Sequence, residues 1–115
     1  MYGIVKIEGR EVPMKATAAT PIRFKGVFGE DLLKFFVEMQ GQDKMNDFGI
    51  AEVMQKLGYI MKAQAAGEDF AKLTPETYLD WLDGFDDPMS VMMASGDIMS
   101  LYQTNAKTSS KPKKS

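Results

Sequence analysis

Four acidic side chains lie within the segment "DWLDGFDD": Asp80, Asp83, Asp86 and Asp87. Carboxylate oxygens are the ligands that hard divalent cations prefer, so a metal site is the first chemistry to consider. The spacing differs from that of a calcium-binding loop, and Asp87 stands directly before Pro88, as a helix cap would. We therefore interpret the segment as a solvated helix flank with a cap. A metal site and an acidic docking patch are the alternatives.

The residue types needed for catalysis are mostly missing. The chain has no histidine and no cysteine, which removes the commonest general base, the thiolate nucleophile, disulfides and the commonest metal ligands. No pair of carboxylates is placed across a predicted cleft, and "IEGRE" and "FKGVFGE" lack the ending of a phosphate-binding loop. The sequence predicts a protein that is not an enzyme, with no catalytic residues, metal or cofactor.

Composition and charge set further limits. A chain of 115 residues that is 44% hydrophobic predicts one domain with its own core, over residues 1–103. Residues 104–115 hold four of the fourteen basic residues, which leaves ten against sixteen acidic ones in the domain. An acidic domain argues against nucleic-acid binding. No apolar run is long enough for a membrane span and no signal peptide is evident, so we expect a soluble intracellular protein.

Methionine is unusually frequent, at ten residues, and "PMSVMMASGDIM" is the densest stretch. Methionine fills irregular gaps in a core or forms adaptable binding surfaces. Met89, Met92, Met93 and Met99 cannot all face one side of a helix, so we expect at least one outside the core. Core packing and partner binding are both open interpretations of this stretch.

The N-terminal segment predicts a β-hairpin over about residues 2–18. "YGIVKI" and "REVPMKA" are short, partly alternating segments around Glu8-Gly9, which fits a two-residue turn. Counting outward from this turn predicts the strand pairs Ile7–Arg10, Lys6–Glu11, Val5–Val12, Ile4–Pro13 and Gly3–Met14. One face then collects Val5, Ile7, Val12, Met14 and Ala16. Pro13 has no amide hydrogen, which fits an edge strand.

Four or five helices are predicted between residues 21 and 103. Thr20, Thr74 and Asp87 each precede a proline, the pattern of a cap and a first helical residue. A second helix is expected from Glu30-Asp31, and a third runs from about Asp47 to Ala66, after the polar break "GQDKMND". Glycines 29, 67 and 84 fit helix ends. The expected inward side chains include Ile22, Val27 and Phe28 in the first helix, and Val91, Met92, Ser95, Met99 and Tyr102, flanked by Ile98, in the last.

The second helix differs from the others because it is apolar over more than one stripe. "DLLKFFVEM" carries Leu32, Leu33, Phe35, Phe36, Val37 and Met39. This pattern predicts contact on two sides. The fold class is therefore α+β: an N-terminal β-hairpin, a bundle of four to five helices, and a disordered basic tail at 104–115.

Taken in order, these segments resemble the tail assembly chaperones of long-tailed phages and prophages of Gram-positive bacteria. "KATAATPIRFKGVFGEDLLK" after a short hairpin is similar to the N-terminal part of that family, with Lys15–Thr20, Phe28-Gly29 and Asp31-Leu32 at the matching points. "AEVMQKLGYIMKAQA", "YLDWLDGFD" and "DIMSLYQTNAKTSSKPKKS" resemble its middle helix, its "WLD-F" segment and its ending. The likeness covers nearly the whole chain, although methionines stand where family members often carry Leu or Ile.

The resemblance implies a protein that binds the tape-measure protein, keeps it soluble and helps recruit tail-tube subunits. It implies a location in the cytoplasm of the bacterial host and absence from the mature virion, with no nucleic-acid or membrane partner. The client-binding residues expected on this basis are Phe35, Phe36, Met39, Met89, Met92, Met93 and Met99. The hairpin edge and the second helix would support self-association into head-to-tail oligomers.

The basic ending fits the same scheme as a junction. In many members of the family a ribosomal frameshift near the end of the gene adds a C-terminal extension. Lys107, Lys111, Lys113 and Lys114 would then mark a flexible join from which the longer form continues. A small structural subunit of the virion, such as a head–tail connector or minor tail component, is the alternative function.

Overall fold

The computed structural model describes the backbone of residues 2–40 and 48–110 and the side chains of residues 2–38 and 49–103. Two strands, β1 (Tyr2–Ile7) and β2 (Arg10–Lys15), precede all the helices. The helices are α1 (Thr20–Phe28), α2 (Leu32–Gln40), α3 (Phe48–Ala66), α4 (Pro75–Asp83), α5 (Ser90–Met93) and α6 (Ser95–Ser110), with a short 3-10 helix at Phe70–Lys72. The predicted α+β class is confirmed. The predicted break at residues 41–47 lies outside the described residues.

The hairpin has the predicted register throughout. Ile7 pairs with Arg10, Ile4 with Pro13 and Gly3 with Met14 in an antiparallel two-stranded sheet. Glu8 and Gly9 both have positive φ, at 55° and 76°, as a two-residue turn that matches the strand twist requires. The side chains predicted to face inward do so: Val5, Ile7, Met14 and Ala16 are buried and Val12 is partly buried.

Helix α3 is the centre of the molecule. It packs against β2, α1, α4, α5 and α6. Leu57, Ile60 and Met61 on this helix are fully buried, as the three- and four-residue spacing predicts. An aromatic cluster joins it to its neighbours, since the Tyr59 and Tyr78 rings lie 5.6 Å apart and the Phe28 and Tyr78 rings 5.2 Å apart. Burial raises the pKa of Tyr78, because the phenolate would lose its hydration there.

Helix α1 differs from prediction at its start and on one face. Thr20 is the first helical residue rather than the cap, and its fully buried hydroxyl donates to Gln64. Ile22 is 73% exposed instead of facing the core, whereas Phe24 is buried. The two positions are 200° apart on a helix, so only one of them can face α3. The predicted end at Gly29 is confirmed, with a left-handed φ of 71°.

The last predicted helix is two helices in the structure. Asp87 is not the cap of a helix that begins at Pro88; it accepts a hydrogen bond from the Met89 amide, and α5 begins at Ser90. The helical conformation is interrupted at Ala94, between α5 and α6. The interruption changes which side chains of the last helix face the core, and Ile98, predicted to flank the inward side, is fully buried. The break lies two residues before Gly96, a weak helix former.

Helix α6 also runs further than predicted. It continues through Ser110, beyond the expected boundary near residue 103. The physical reason is that Pro112 is the first residue after Gly96 that is a strong helix breaker. Residues 111–115 of the predicted disordered tail lie outside the described residues. Within the described helices, none combines the length and the hydropathy needed to cross a membrane.

Candidate partner-binding surfaces

The methionines predicted to bind a partner are divided between surface and core. Met93 is 78% exposed and Met89 is also exposed, so the expectation that at least one methionine lies outside the core is confirmed. Met92 is partly buried, and Met99 is partly buried against the core. Among the predicted methionines whose side chains are described, Met89 and Met93 are therefore the ones largely exposed to solvent. The side chain of Met39 lies outside the described residues.

Phe35 and Phe36 form a packed joint rather than an open surface. The Phe36 ring stacks on Tyr102 of α6, with centroids 5.6 Å apart and planes 7° apart. Phe35 meets Phe36 edge-on at 5.5 Å, and both rings pack against the core. Stacked aromatic pairs add stability beyond the area they bury. Phe36 thus holds α2 against α6, and Phe35 packs beside it.

A surface that the predicted site residues do not include lies between α1 and α2. Pro21, Ile22, Lys25 and Gly26 of α1 line a shallow cleft of about 410 Å³ together with Asp31 and Leu33. Ile22 and Leu33 are both exposed, and Val37, one turn further along α2, is exposed as well. We name this apolar surface, with Ile22, Leu33 and Val37, the α1–α2 groove. Single exposed apolar residues are common, and three on adjoining helix faces make this surface a candidate contact site.

The sequence held a partial signal for this groove. The second apolar stripe of α2 predicted contact on two sides, and the side chains that the structure describes fill one of them, through Leu32, Phe35 and Phe36. Leu33 and Val37 make up the other stripe. Their partner on α1 was missed because Ile22 was assigned to the core, a choice that the sequence alone cannot make between Ile22 and Phe24.

The acidic segment is held by the hairpin turn. Oε2 of Glu8 accepts a hydrogen bond from the Asp87 amide at 2.7 Å, and Oε1 accepts from the Asp86 amide at 3.3 Å. The hydrogen bond from Asp87 is the main cause of the lowered pKa of Glu8, and the Arg10 charge adds to it. Arg10 also donates to the Gly84 carbonyl at 2.6 Å and lies over the Phe85 ring.

Asp83, Asp86 and Asp87 line one cleft beside α5, but they do not form a metal-binding cluster. Within the described part of the chain, no group of three or more Asp or Glu side chains is arranged to hold a metal ion. Asp80, Asp83 and Asp86 are exposed, and the Asp87 carboxylate is engaged by the Met89 amide. The exposure of these side chains agrees with a solvated flank, whereas the predicted helix cap at Asp87 is replaced by a local turn around Met89.

The basic residues of the predicted junction are mostly outside the described structure. Lys107 is a residue of α6, but its side chain is not among those described. Lys111, Lys113 and Lys114 lie beyond the last described residue.

Comparison with known proteins gives no relative from which a function or family could be taken. No family model, no curated protein and no solved structure matches this chain.

Proposed function

We propose that this chain is a phage tail assembly chaperone that binds the tape-measure protein and keeps it soluble in the cytoplasm of the bacterial host. In this proposal it also helps recruit the tail-tube subunits that displace it, and it is absent from the finished virion. The resemblance of its hairpin, middle helix, "WLD-F" segment and ending to that family is the starting point.

The α1–α2 groove is the observation that supports this function best. A tape-measure protein is long and largely helical, and an amphipathic helix binds by laying its apolar face into a groove lined by apolar side chains. Ile22 and Leu33 supply such a lining, and Val37, exposed one helical turn beyond Leu33, extends the apolar surface. Lys25 and Asp31 line the cleft beside them and give a helical client one basic and one acidic contact.

The exposed methionines near α5 extend the same argument. Met89 and Met93 present flexible, polarizable side chains to solvent. Such side chains adapt to different apolar surfaces, which suits a chaperone whose client presents many similar but non-identical helical segments. They form the second contact region of the proposal.

Co-expression with a tape-measure protein from the same genome tests the groove. Leu33→Asp places a charge in the apolar lining, and we expect the tape-measure protein to move from the soluble to the insoluble fraction. Leu79→Asp is the matched control, because Leu79 is 53% exposed on α4 and Leu33 is 57% exposed on α2. The control should leave the client in solution. A wild-type chain that fails to solubilise the client, or a Leu33→Asp chain that still does so, contradicts the proposal.

Mass spectrometry of purified particles separates a chaperone from a structural subunit. A chaperone is absent from the particles, whereas a head–tail connector or minor tail component is present in fixed copy number. The nucleotide sequence over the last codons adds an independent test. A slippery run with an overlapping second frame, followed by a long helical reading frame, is expected for a chaperone that is also made in a longer form.

A further inference from the structure

The two outer edges of the hairpin are not equivalent. Because Ile7 and Arg10 flank a two-residue turn, they form a hydrogen-bonded pair, and the pairs then alternate along the strands. The backbone groups of Gly3, Val5 and Ile7 therefore point toward β2. Those of Tyr2, Ile4 and Lys6 point away from it, along the outer edge of β1. The corresponding outward residues of β2 are Glu11, Pro13 and Lys15.

The outer edge of β2 is closed. Pro13, at its centre, has no amide hydrogen to offer to another strand. The Lys15 carbonyl is occupied, since Nε2 of Gln64 donates to it at 3.0 Å. Helix α3 lies along this strand, and its Ala65 and Ala66 share a cleft with Pro13. A further strand would therefore find few free backbone donors and acceptors along this edge.

The outer edge of β1 is open. Among the described residues, none donates to or accepts from the outward backbone groups of Tyr2, Ile4 or Lys6. The side chains of Tyr2 and Ile4 are apolar for the most part and exposed, Ile4 to 53%. Natural proteins block such edges with proline, bulges or charges, because an open edge pairs with other chains. Here β2 carries the proline, and on β1 the one charged outward residue is Lys6, next to the turn.

We propose that a second copy of this chain pairs with β1, antiparallel and about a twofold axis at Ile4, to form a continuous four-stranded sheet. In this register Ile4 faces Ile4 of the second copy, and Tyr2 faces Lys6 of the second copy. All the outward amides and carbonyls of residues 2, 4 and 6 are then paired. The register is self-complementary, as a twofold interface requires.

Charge and packing favour this register and this occupant. A pairing centred on Lys6 would place two lysines opposite each other, which is destabilising, whereas the register centred on Ile4 separates them. Lys6 keeps its cross-strand partner Glu11 within its own hairpin. The two exposed Ile4 side chains come into contact, which removes part of their apolar surface from water. A two-stranded sheet is only marginally stable on its own. A four-stranded sheet that covers the helices of both copies is more stable.

The surroundings of Gly3 show where α6 lies relative to the proposed sheet. A side chain there would meet Leu101 of α6, since a Cβ built on Gly3 lies 2.8 Å from the Leu101 Cδ1 atom. Helix α6 therefore lies directly beneath the open end of β1. Since the twofold axis is perpendicular to the sheet, the α6 helices of both copies lie on its same, inner face. The inference does not depend on the identity of the client.

Sedimentation of the full chain tests the interface with charge variants. The wild type should be a dimer. Ile4→Lys and Ile4→Glu should each weaken dimerisation about tenfold or more, because like charges meet at the axis. An equal mixture of the two variants should restore a dimer. Leu79→Lys is the control, since Leu79 is as exposed as Ile4, at 53%, but lies on α4. Circular dichroism confirms that each variant is folded.

Cysteine pairing tests the register, since the chain has no cysteine of its own. Ile4→Cys should form a covalent dimer on oxidation, because paired Cα atoms about 5.5 Å apart lie within disulfide reach. Lys6→Cys should not link to itself, since the two sites lie roughly 14 Å apart. It should link to Tyr2→Cys when the two variants are mixed. A monomeric wild type, or a dimer that Ile4→Lys leaves intact, overturns the proposal, and a different linking pattern overturns its register.

Discussion

The Thr20 hydroxyl donates a hydrogen bond to Oε1 of Gln64 at 3.2 Å, which joins the first turn of α1 to the last turn of α3. The amide group of the same glutamine donates to the Lys15 carbonyl and lies 3.3 Å from Oγ1 of Thr17. One side chain thus fixes the end of β2, the start of α1 and the turn between them. The "KATAAT" segment is therefore a structural link around Gln64.

Gln64→Ala should lower the free energy of unfolding by about 1–3 kcal/mol, because it leaves the buried Thr20 hydroxyl without its acceptor. Gln103→Ala is the matched control on the exposed face of α6, where the change should be within about 0.5 kcal/mol. Urea denaturation followed by circular dichroism measures both. Equal effects at the two positions would show that the Gln64 hydrogen bonds contribute nothing.

Glu8→Gln should reduce the acid sensitivity of the fold. The pKa of Glu8 lies below its ordinary value of 4.5, chiefly because the carboxylate accepts the Asp87 amide. Its contribution to stability is therefore present above pH 4.5 and is lost as the pH falls through the lowered pKa. The variant should be less stable than the wild type at neutral pH and should lose less stability on acidification.

Denaturation curves measured at neutral pH and at a series of values below 4.5 check this. Glu38→Gln serves as the control, because Glu38 is an exposed carboxylate on α2. It should follow the wild-type pH profile. A Glu8→Gln profile parallel to that of the wild type would contradict the assignment.

Gly58→Ala should destabilise the protein by about 1–2 kcal/mol, although alanine is the better helix former. An added Cβ would lie 2.8 Å from Cδ1 of Ile98, a fully buried side chain that cannot move without repacking. Gly26→Ala makes the same change in α1, where nothing lies within 4 Å, and should stabilise by up to about 1 kcal/mol. Thermal denaturation should therefore shift in opposite directions for the two variants.

Phe36 and Tyr102 should be energetically coupled. Their stacked rings predict an interaction of about 0.5–1.5 kcal/mol in a double-mutant cycle of Phe36→Leu and Tyr102→Leu. Coupling of this size supports a structural role for Phe36 in place of the predicted partner contact. Strictly additive effects of the two substitutions would show that the rings do not stabilise each other.

Local chemistry explains why parts of the fold were predictable. The hairpin register follows from a two-residue turn and a period-two pattern, and both are encoded within fourteen consecutive residues, Tyr2–Lys15. The Thr74 cap, with its reciprocal hydrogen bonds to Thr77, and the left-handed glycines at 29 and 67 are equally local. Each of these features depends on neighbours within a few residues.

The exposure of the residues predicted to bind a partner could not be read from the sequence, for a physical reason. Exposure of an aromatic or methionine side chain depends on which distant helix covers it. Phe36 is covered by Tyr102 across 66 residues of chain, while Met93 is left open. A pattern of apolar residues gives the number of possible faces but not which face finds a partner.

The sequence by itself determined the α+β class, the hairpin and its register, and most helix ends, because turns, caps and periodicity act over short distances. Tertiary structure alone decided that Phe24 and not Ile22 enters the core, that Thr20 bonds Gln64, and that Glu8 holds the Asp86 and Asp87 amides. These outcomes depend on how α1, α3 and the hairpin meet. Within the described residues, they leave the α1–α2 groove and the β1 edge uncovered.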